Sequence, residues 1–305
     1  MDCFARPLLP SKGGQSNPPA TSRCGSLLPS ASLLTHALLM TTLHSAGPTY
    51  QWHNAFHGQF GQLPFPGKVA KHKKVASLLQ FAGASFYHLV MEVLPRLVLL
   101  RTEIQADDDL KILVCKDTSK SKFATSFFNL FFGDTYAARF IEYDCSGPNN
   151  VRVRAKTLLY PSWDRVVAHD HVAHSLAPPT LLKELRAIVR AKLDIHGGGL
   201  LPAVVYCTRK GQSMRELEGE SDLVAGLARK VAAAGAEYEL VIFDGKMAAD
   251  EAMTLFSRAS VVVGVHGGAL TNIIACADGS TLIELGFNAG FTRHYASAAQ
   301  GIGMK

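Results

Sequence analysis

Val261-Val-Val-Gly264-Val-His266-Gly267-Gly268-Ala-Leu-Thr271-Asn272, followed by Ser280-Thr-Leu-Ile-Glu284, decides the fold. An apolar, β-branched run ends in a glycine turn. The turn opens a helical stretch, and a second apolar run ends in a carboxylate. A strand feeding a glycine loop at a helix N-terminus is a physical design for holding phosphate. The loop exposes backbone N–H groups, the helix dipole favours negative charge, and glycine lets a ligand approach the main chain. Glu284 is expected on the rim of the same crevice, at the C-terminal end of the next strand, where open α/β sheets bind ligands. Gly264, Gly267 and Gly268 are expected to allow tight turning, with His266 projecting from the turn.

Working outward, strand and helix alternate. The expected strands are Ala203–Cys207, Glu239–Phe243, Val261–Val265 and Thr281–Leu285. The expected helices between them are Ser221–Ala234, Ala248–Arg258 and Gly268–Ala277. Such alternation implies a parallel sheet with right-handed crossovers. An amphipathic helix from Pro178 to about Leu193, stopped at Gly197–Gly199, precedes it. Upstream, the reading places strands at Val75–Phe81, Leu110–Cys115, Arg139–Tyr143 and Val151–Leu159. It places helices at Ser85–Arg101 and Ser119–Phe132, the first kinked or stopped early by Pro95, and a histidine-containing loop at 160–177. The economical architecture is two α/β halves joined near residue 178.

The totals fit. In 305 residues, 48% of them hydrophobic, there is material for one large core or two ordinary ones. The net charge of +6 suits an anionic small ligand or an acidic surface, but it is too diffuse for nucleic acid. Lys71-His72-Lys73-Lys74 reads as a solvated loop. The six cysteines form no CxxC pair, and Cys115, Cys207 and Cys276 read as buried small hydrophobes. No Asn-x-Ser/Thr sequon is present. Residues 1–50 are rich in Pro, Ser, Gly and Thr, without periodicity, and read as a disordered leader. Within them Ser26–Ala46 falls short of the roughly 20 clean apolar residues that a bilayer span requires, so no membrane anchor is evident.

Several polar groups invite chemistry. Arg209 ends the first strand of the second half, and Arg215 follows six residues later; such arginines can clamp a diphosphate. The bland reading is two cations in a charged loop beside Glu216, Glu218, Glu220 and Asp222. His88, Glu92 and Arg96 share one helical face. A His/carboxylate pair beside a phosphate site can act as a general base. Read alone, that face is an exposed one with an ordinary Glu92–Arg96 ion pair. Asp107-Asp108-Asp109 precedes its strand and reads as a solvated turn. His169, His171 and His174 lack a matching carboxylate or cysteine set, so no metal site is expected. There is no GxGxxG and no GxxxxGK[ST], which disfavours a Rossmann-like NAD enzyme and a P-loop.

Ser85-Phe-Tyr-His88-Leu-Val-Met-Glu92-Val-Leu-Pro95-Arg96-Leu97, then Arg209, Arg215 and Glu220, then Gly264–Asn272 and Leu282-Ile-Glu284 stand in one order. Together they resemble glycosyltransferase family 61, whose members include xylosyl-, arabinosyl- and N-acetylglucosaminyltransferases. The resemblance spans about residues 75 to 300. It implies an α/β GT-B fold: two Rossmann-like domains facing a cleft, with 51–177 on the acceptor side and 178–305 holding the nucleotide sugar. It implies inverting transfer from a UDP-sugar to a glycan or glycoprotein acceptor. No metal or other cofactor would be required, and the location would be the Golgi or endoplasmic reticulum lumen. It implies that Arg209, Arg215 and the loop carrying Gly264, His266, Gly267, Gly268, Thr271 and Asn272 bind the diphosphate, and that Glu284 binds the ribose. Glu92 or His88 would take the acceptor proton. The alternative is a non-catalytic sugar-nucleotide-binding protein, or a truncated, inactive relative. Two departures from the family pattern are visible: Gly268-Ala269 stands where Ala-Gly is commoner, and Gly219 stands where an Asn often precedes the Glu.

Overall fold

The β-branched runs of the second half form a four-stranded parallel sheet. The computed structural model describes residues 28–29, 69–80, 83–133, 136–143, 152–161, 166–169, 172–175, 177–194, 202–212, 214–286 and 293–305. Apart from Leu28–Pro29, the expected leader lies outside these residues, as does the Gly197–Gly199 helix stop.

The first part runs β1 (Leu28–Pro29), β2 (Val69–Ser77), α1 (Phe86–His88), a π-helical turn (Leu89–Val93), α2 (Leu94–Leu99), α3 (Arg101–Ala106) and β3 (Lys111–Cys115). It continues with α4 (Lys116–Ser119), α5 (Lys122–Phe132), α6 (Tyr136–Arg139), β4 (Phe140–Tyr143), β5 (Arg152–Leu159), β6 (Val166–His169) and β7 (Val172–Ser175). The second part runs α7 (Pro179–Lys192), β8 (Ala203–Cys207), α8 (Glu220–Ala234), β9 (Glu239–Phe243), α9 (Ala249–Ser257) and β10 (Ala259–Val265). A 3₁₀ helix (Gly268–Ala275), β11 (Thr281–Leu285) and α10 (His294–Gly301) follow.

Two sheets result. The first has the order β1-β5-β2-β3-β4, parallel except for β1 at its edge. The second has the order β11-β10-β8-β9 and is parallel throughout. In the second sheet the chain steps from β8 to β9, then returns across β8 to lay down β10. The order therefore reverses between β8 and β10, and ligands of open α/β sheets bind in the crevice outside such a switch point. The first sheet reverses between β2 and β5 in the same way. One core cluster runs from Ala76 to Met304 and takes in residues behind both sheets. In it, α7 packs against α2, α10 and the 3₁₀ helix. A smaller cluster, Val75, Leu113, Val153, Ala155 and Leu158, lies within the first sheet.

Several expectations change. Lys71–Lys74 is not a solvated loop but the N-terminal half of β2, where exposed and half-buried positions alternate. The histidine-containing stretch at 160–177 contains an antiparallel ladder, β6 on β7, with Val167 opposite His174 and His169 opposite Val172. Paired valine-rich runs separated by a short connection favour that ladder over a loop. His171 lies outside the described residues. The helix at Ser85–Arg101 does not stop at Pro95. Proline lacks the N–H that an α-helical turn requires and crowds the preceding turn. The chain widens there instead, and the Leu94 N–H reaches back five residues to the Leu89 carbonyl. The break comes at Leu100, whose backbone leaves the helical region.

Candidate functional site

The glycine turn is built by close packing. Gly264 lies opposite Cys207 in the β10–β8 register. A Cβ there would stand 2.8 Å from the Cys207 Cβ and 3.1 Å from Leu270 Cδ2, so only glycine fits. Gly267 is in extended backbone that any residue adopts (φ 171°). It is constrained instead by the Arg209 guanidinium lying against it. Gly268 opens onto free space and begins the helix. The need is therefore for close approach rather than for tight turning. That helix is 3₁₀ rather than α. The first N–H groups of a helix have no partner within it; here the Leu270 N–H donates to the Gly267 carbonyl at 3.0 Å, at the start of the turn. Thr271 and Asn272, expected to touch ligand, are instead 0% and 2% exposed. Asn272 Nδ2 donates to the Ala269 carbonyl at 2.9 Å, bracing the first turn from behind.

Two arginines converge on the turn. The Arg209 Nε donates to the Met214 carbonyl at 3.1 Å, and Arg215 Nη1 donates to the His266 carbonyl at 2.9 Å. They are not two loose surface cations. Burial disfavours the charged form of Arg209, and the neighbouring charge of Arg215 disfavours it further, so an anion between them would be welcome. Arg215 is held at φ 60°, a left-handed conformation costing a non-glycine residue about 1–2 kcal/mol. Strain of this kind concentrates at ligand clamps.

Glu220 anchors the base of the clamp. Its Oε1 accepts from the Tyr206 hydroxyl at 2.8 Å, the Thr208 hydroxyl at 2.7 Å and the Arg209 N–H at 3.3 Å. Burial pushes the Glu220 carboxyl up, but these three bonds and the Lys210 charge outweigh it and hold it below the usual carboxylate range. Gly219, just before it, sits at φ 73°. Asparagine and glycine both enter that left-handed region readily, so the departure from Asn keeps the backbone and the Glu220 contacts intact.

Glu284 does not stand open on a rim. Its side chain is 8% exposed, and its Oε1 lies 2.5 Å from His266 Nδ1. Leu282 and Glu284 share the face of β11 opposite to the exposed Ile283. The carboxylate thus orients His266 from behind.

The opposite wall carries a second pair of the same kind. His88 Nδ1 lies 2.7 Å from Glu92 Oε2, and Glu92 is only 4% exposed against 26% for His88. Glu92 sits on the π turn and also receives the Gln80 side-chain N–H at 2.5 Å. Arg96 Nη1 donates to the Gln80 side-chain oxygen, Oε1, at 2.5 Å. The reading of this face as exposed, with a direct Glu92–Arg96 ion pair, is overturned. Both residues are buried, and Gln80 stands between them. His88 lines the cavity described below, and Glu92 does not.

Between the walls is an open cavity of about 270 Å³. His88, Arg215, His266, Gly267 and Gly268 line it, together with Ser85, Phe86, Tyr87, His294 and Tyr295. Sequence reasoning missed His294 and Tyr295 as site residues, and read Tyr87 only as a helix-spacing residue. Their rings stack into one cluster: Tyr87 to His294 at 4.3 Å, His294 to His266 at 4.8 Å and Tyr87 to Tyr295 at 5.3 Å between centroids. Burial raises the Tyr87 and Tyr295 hydroxyls above the usual phenol range, so both stay protonated. The cluster joins the His88 wall to the His266 wall across the cavity.

Other candidates fall elsewhere. Asp107–Asp109 is a turn in which the Asp109 N–H donates to Asp107 Oδ1 at 3.1 Å, while Lys74 lies 3.5 Å from Asp107. Among the described residues, no three His, Cys, Asp or Glu side chains are grouped to hold a metal. Cys115 is not a buried thiol but is disulfide-bonded, to a partner outside the described residues. Cys207 and Cys276 are free and buried as expected. No helix among the described residues is long and apolar enough to cross a membrane.

No curated protein matches the chain. The family model described as Glycosyltransferase 61 matches residues 86–283, more than half of it. The match takes in His88, both arginines and the glycine turn, and ends one residue before Glu284. The chain therefore belongs to the glycosyltransferase 61 family.

Proposed function

We propose that the chain is an inverting glycosyltransferase moving a sugar from a UDP-sugar to a glycan or glycoprotein acceptor. The observation that carries this is the juxtaposition in one cavity of an anion clamp and an oriented histidine. Arg215, Gly267 and Gly268 form one side, with Arg209 packed against Gly267, and His88 held by Glu92 forms the other.

In this reading the two sheets belong to the facing Rossmann-like domains of a GT-B arrangement, divided near residue 178. The diphosphate lies at the β8–β10 switch point. As the bond from the anomeric carbon to the diphosphate oxygen breaks, charge grows on the leaving UDP. The guanidiniums of Arg209 and Arg215 and the main-chain N–H groups of the 3₁₀ helix meet that charge, so no metal or other cofactor is required. His88, its Nδ1–H given to Glu92, presents Nε2 to the acceptor hydroxyl and takes its proton as oxygen attacks the opposite face of the sugar. Glu284 serves by fixing His266, rather than by binding the ribose. The Cys115 disulfide fits an oxidising compartment such as the Golgi or endoplasmic reticulum lumen, and a role in glycoprotein or polysaccharide biosynthesis follows.

A donor screen over UDP-xylose, UDP-arabinose and UDP-N-acetylglucosamine, reading UDP release with and without acceptor, tests the proposal. Acceptor-dependent release that is lost in His88→Ala supports it. UDP binding without release under any donor would mark a relative that kept the fold and lost the chemistry.

A further inference from the structure

We infer that Gln80 is a positioning residue that sets the tautomer of His88, through Glu92. The inference rests on the reading of His88 as the base.

Gln80 follows β2, at the point where the first sheet reverses order. Its amide works as a two-ended relay. The side-chain oxygen accepts from Arg96 Nη1 at 2.5 Å, and the side-chain nitrogen donates to Glu92 Oε2 at 2.5 Å. The same Glu92 oxygen faces His88 Nδ1 at 2.7 Å. Charge therefore runs from a buried guanidinium, through a neutral amide, to a buried carboxylate, and then to the imidazole.

Glu92 and Arg96 are four residues apart on one helix. That spacing normally brings a carboxylate and a cation together directly. A direct pair would draw Glu92 away from His88. Gln80 prevents it by giving Arg96 another acceptor and giving Glu92 another donor. A carboxylate accepts hydrogen bonds only, so the imidazole must place its hydrogen on Nδ1. That leaves Nε2 bare toward the cavity, the form a proton acceptor needs. The Gln80 main-chain carbonyl in turn accepts from the Gly83 N–H at 3.2 Å. A Cβ on Gly83 would also come within 2.7 Å of Thr118 Oγ1, so the backbone is wedged close to its neighbours.

The test uses the full chain labelled with ¹⁵N-histidine. Long-range ¹H–¹⁵N spectra report which ring nitrogen carries the hydrogen, and His88→Ala assigns the signal. The wild-type protein should show His88 as the Nδ1–H tautomer. Gln80→Met, of similar length but without polar ends, and Gln80→Glu, which still accepts from Arg96 but cannot donate to Glu92, should both populate the Nε2–H form. Both should also lower the acceptor-dependent rate at saturating donor by roughly tenfold or more, with the Kd for UDP unchanged within about twofold, which shows that the fold survives. A wild-type tautomer in both variants overturns the inference. The failure of the underlying reading looks different: His88→Ala would keep its transfer rate while the tautomer shift in the Gln80 variants persists.

Discussion

The Arg209 guanidinium lies so close to Gly267 that a Cβ on that residue would collide with Nη1. The collision is with the far end of a flexible side chain, so Gly267→Ala moves the guanidinium and leaves the fold alone. UDP affinity should fall about tenfold, the loss of roughly one charge-assisted contact, with Tm nearly constant. Gly264 is the counterpart. Its substituent would meet the Cys207 Cβ, which cannot retreat. Gly264→Ala should cost about 1–3 kcal/mol through overpacking and lower Tm by several degrees. Calorimetric titration and thermal melts on the pair separate a binding role from a packing role. Equal Tm losses in both would contradict it.

Glu220 links pH to stability. Its carboxyl is lower in the folded chain than in the unfolded one, because three hydrogen bonds favour the charged form. Below its ordinary value, about 4.3, the unfolded state takes up the proton first. Stability from this residue is therefore present at neutral pH and lost as pH falls through the lower native value. The wild-type protein should melt above Glu220→Gln at pH 7, and the two melting curves should converge in acid. A gap that widens on acidification would refute the assignment.

The cysteines divide by environment. Reducing the Cys115 disulfide should cost roughly 2–4 kcal/mol, visible as a drop in Tm on adding reductant that Cys115→Ala no longer shows. Cys207 and Cys276 should resist alkylation in the native protein. Burial pushes both thiols up, Cys276 to about 12, so neither offers thiolate at neutral pH. Mass spectrometry after iodoacetamide treatment checks this, and native-state labelling at either residue would contradict it.

Much of the second half was legible because its signals are local. The runs Ala203–Cys207, Glu239–Phe243 and Thr281–Leu285 coincide with β8, β9 and β11. His266, Gly267 and Gly268 of the glycine turn line the cavity. Burial of the His88–Arg96 face was not legible, because helical spacing says which side chains share a face and not what covers it. Gln80 was invisible for a related reason: its partners lie 12 and 16 residues away. His294 and Tyr295 reach the cavity only through the packing of α10. The inward turn of Glu284 was not legible either. Period-two alternation puts it on the same face as Leu282, but it puts Ile283 and Leu285 together on the other face, so the pattern does not say which face is covered. The 3₁₀ form of Gly268–Ala275 has no comparable mark in the sequence.

Arg209, Arg215 and the Gly267–Gly268 turn are proposed to grip a pyrophosphate. Calorimetric titration of the full chain with uridine, UMP and UDP tests this most directly. Affinity should climb stepwise with each phosphate, and the UDP increment should collapse in the double variant Arg209→Ala/Arg215→Ala. Uridine binding as tightly as UDP, or a double variant that binds UDP as well as the parent, would contradict the account.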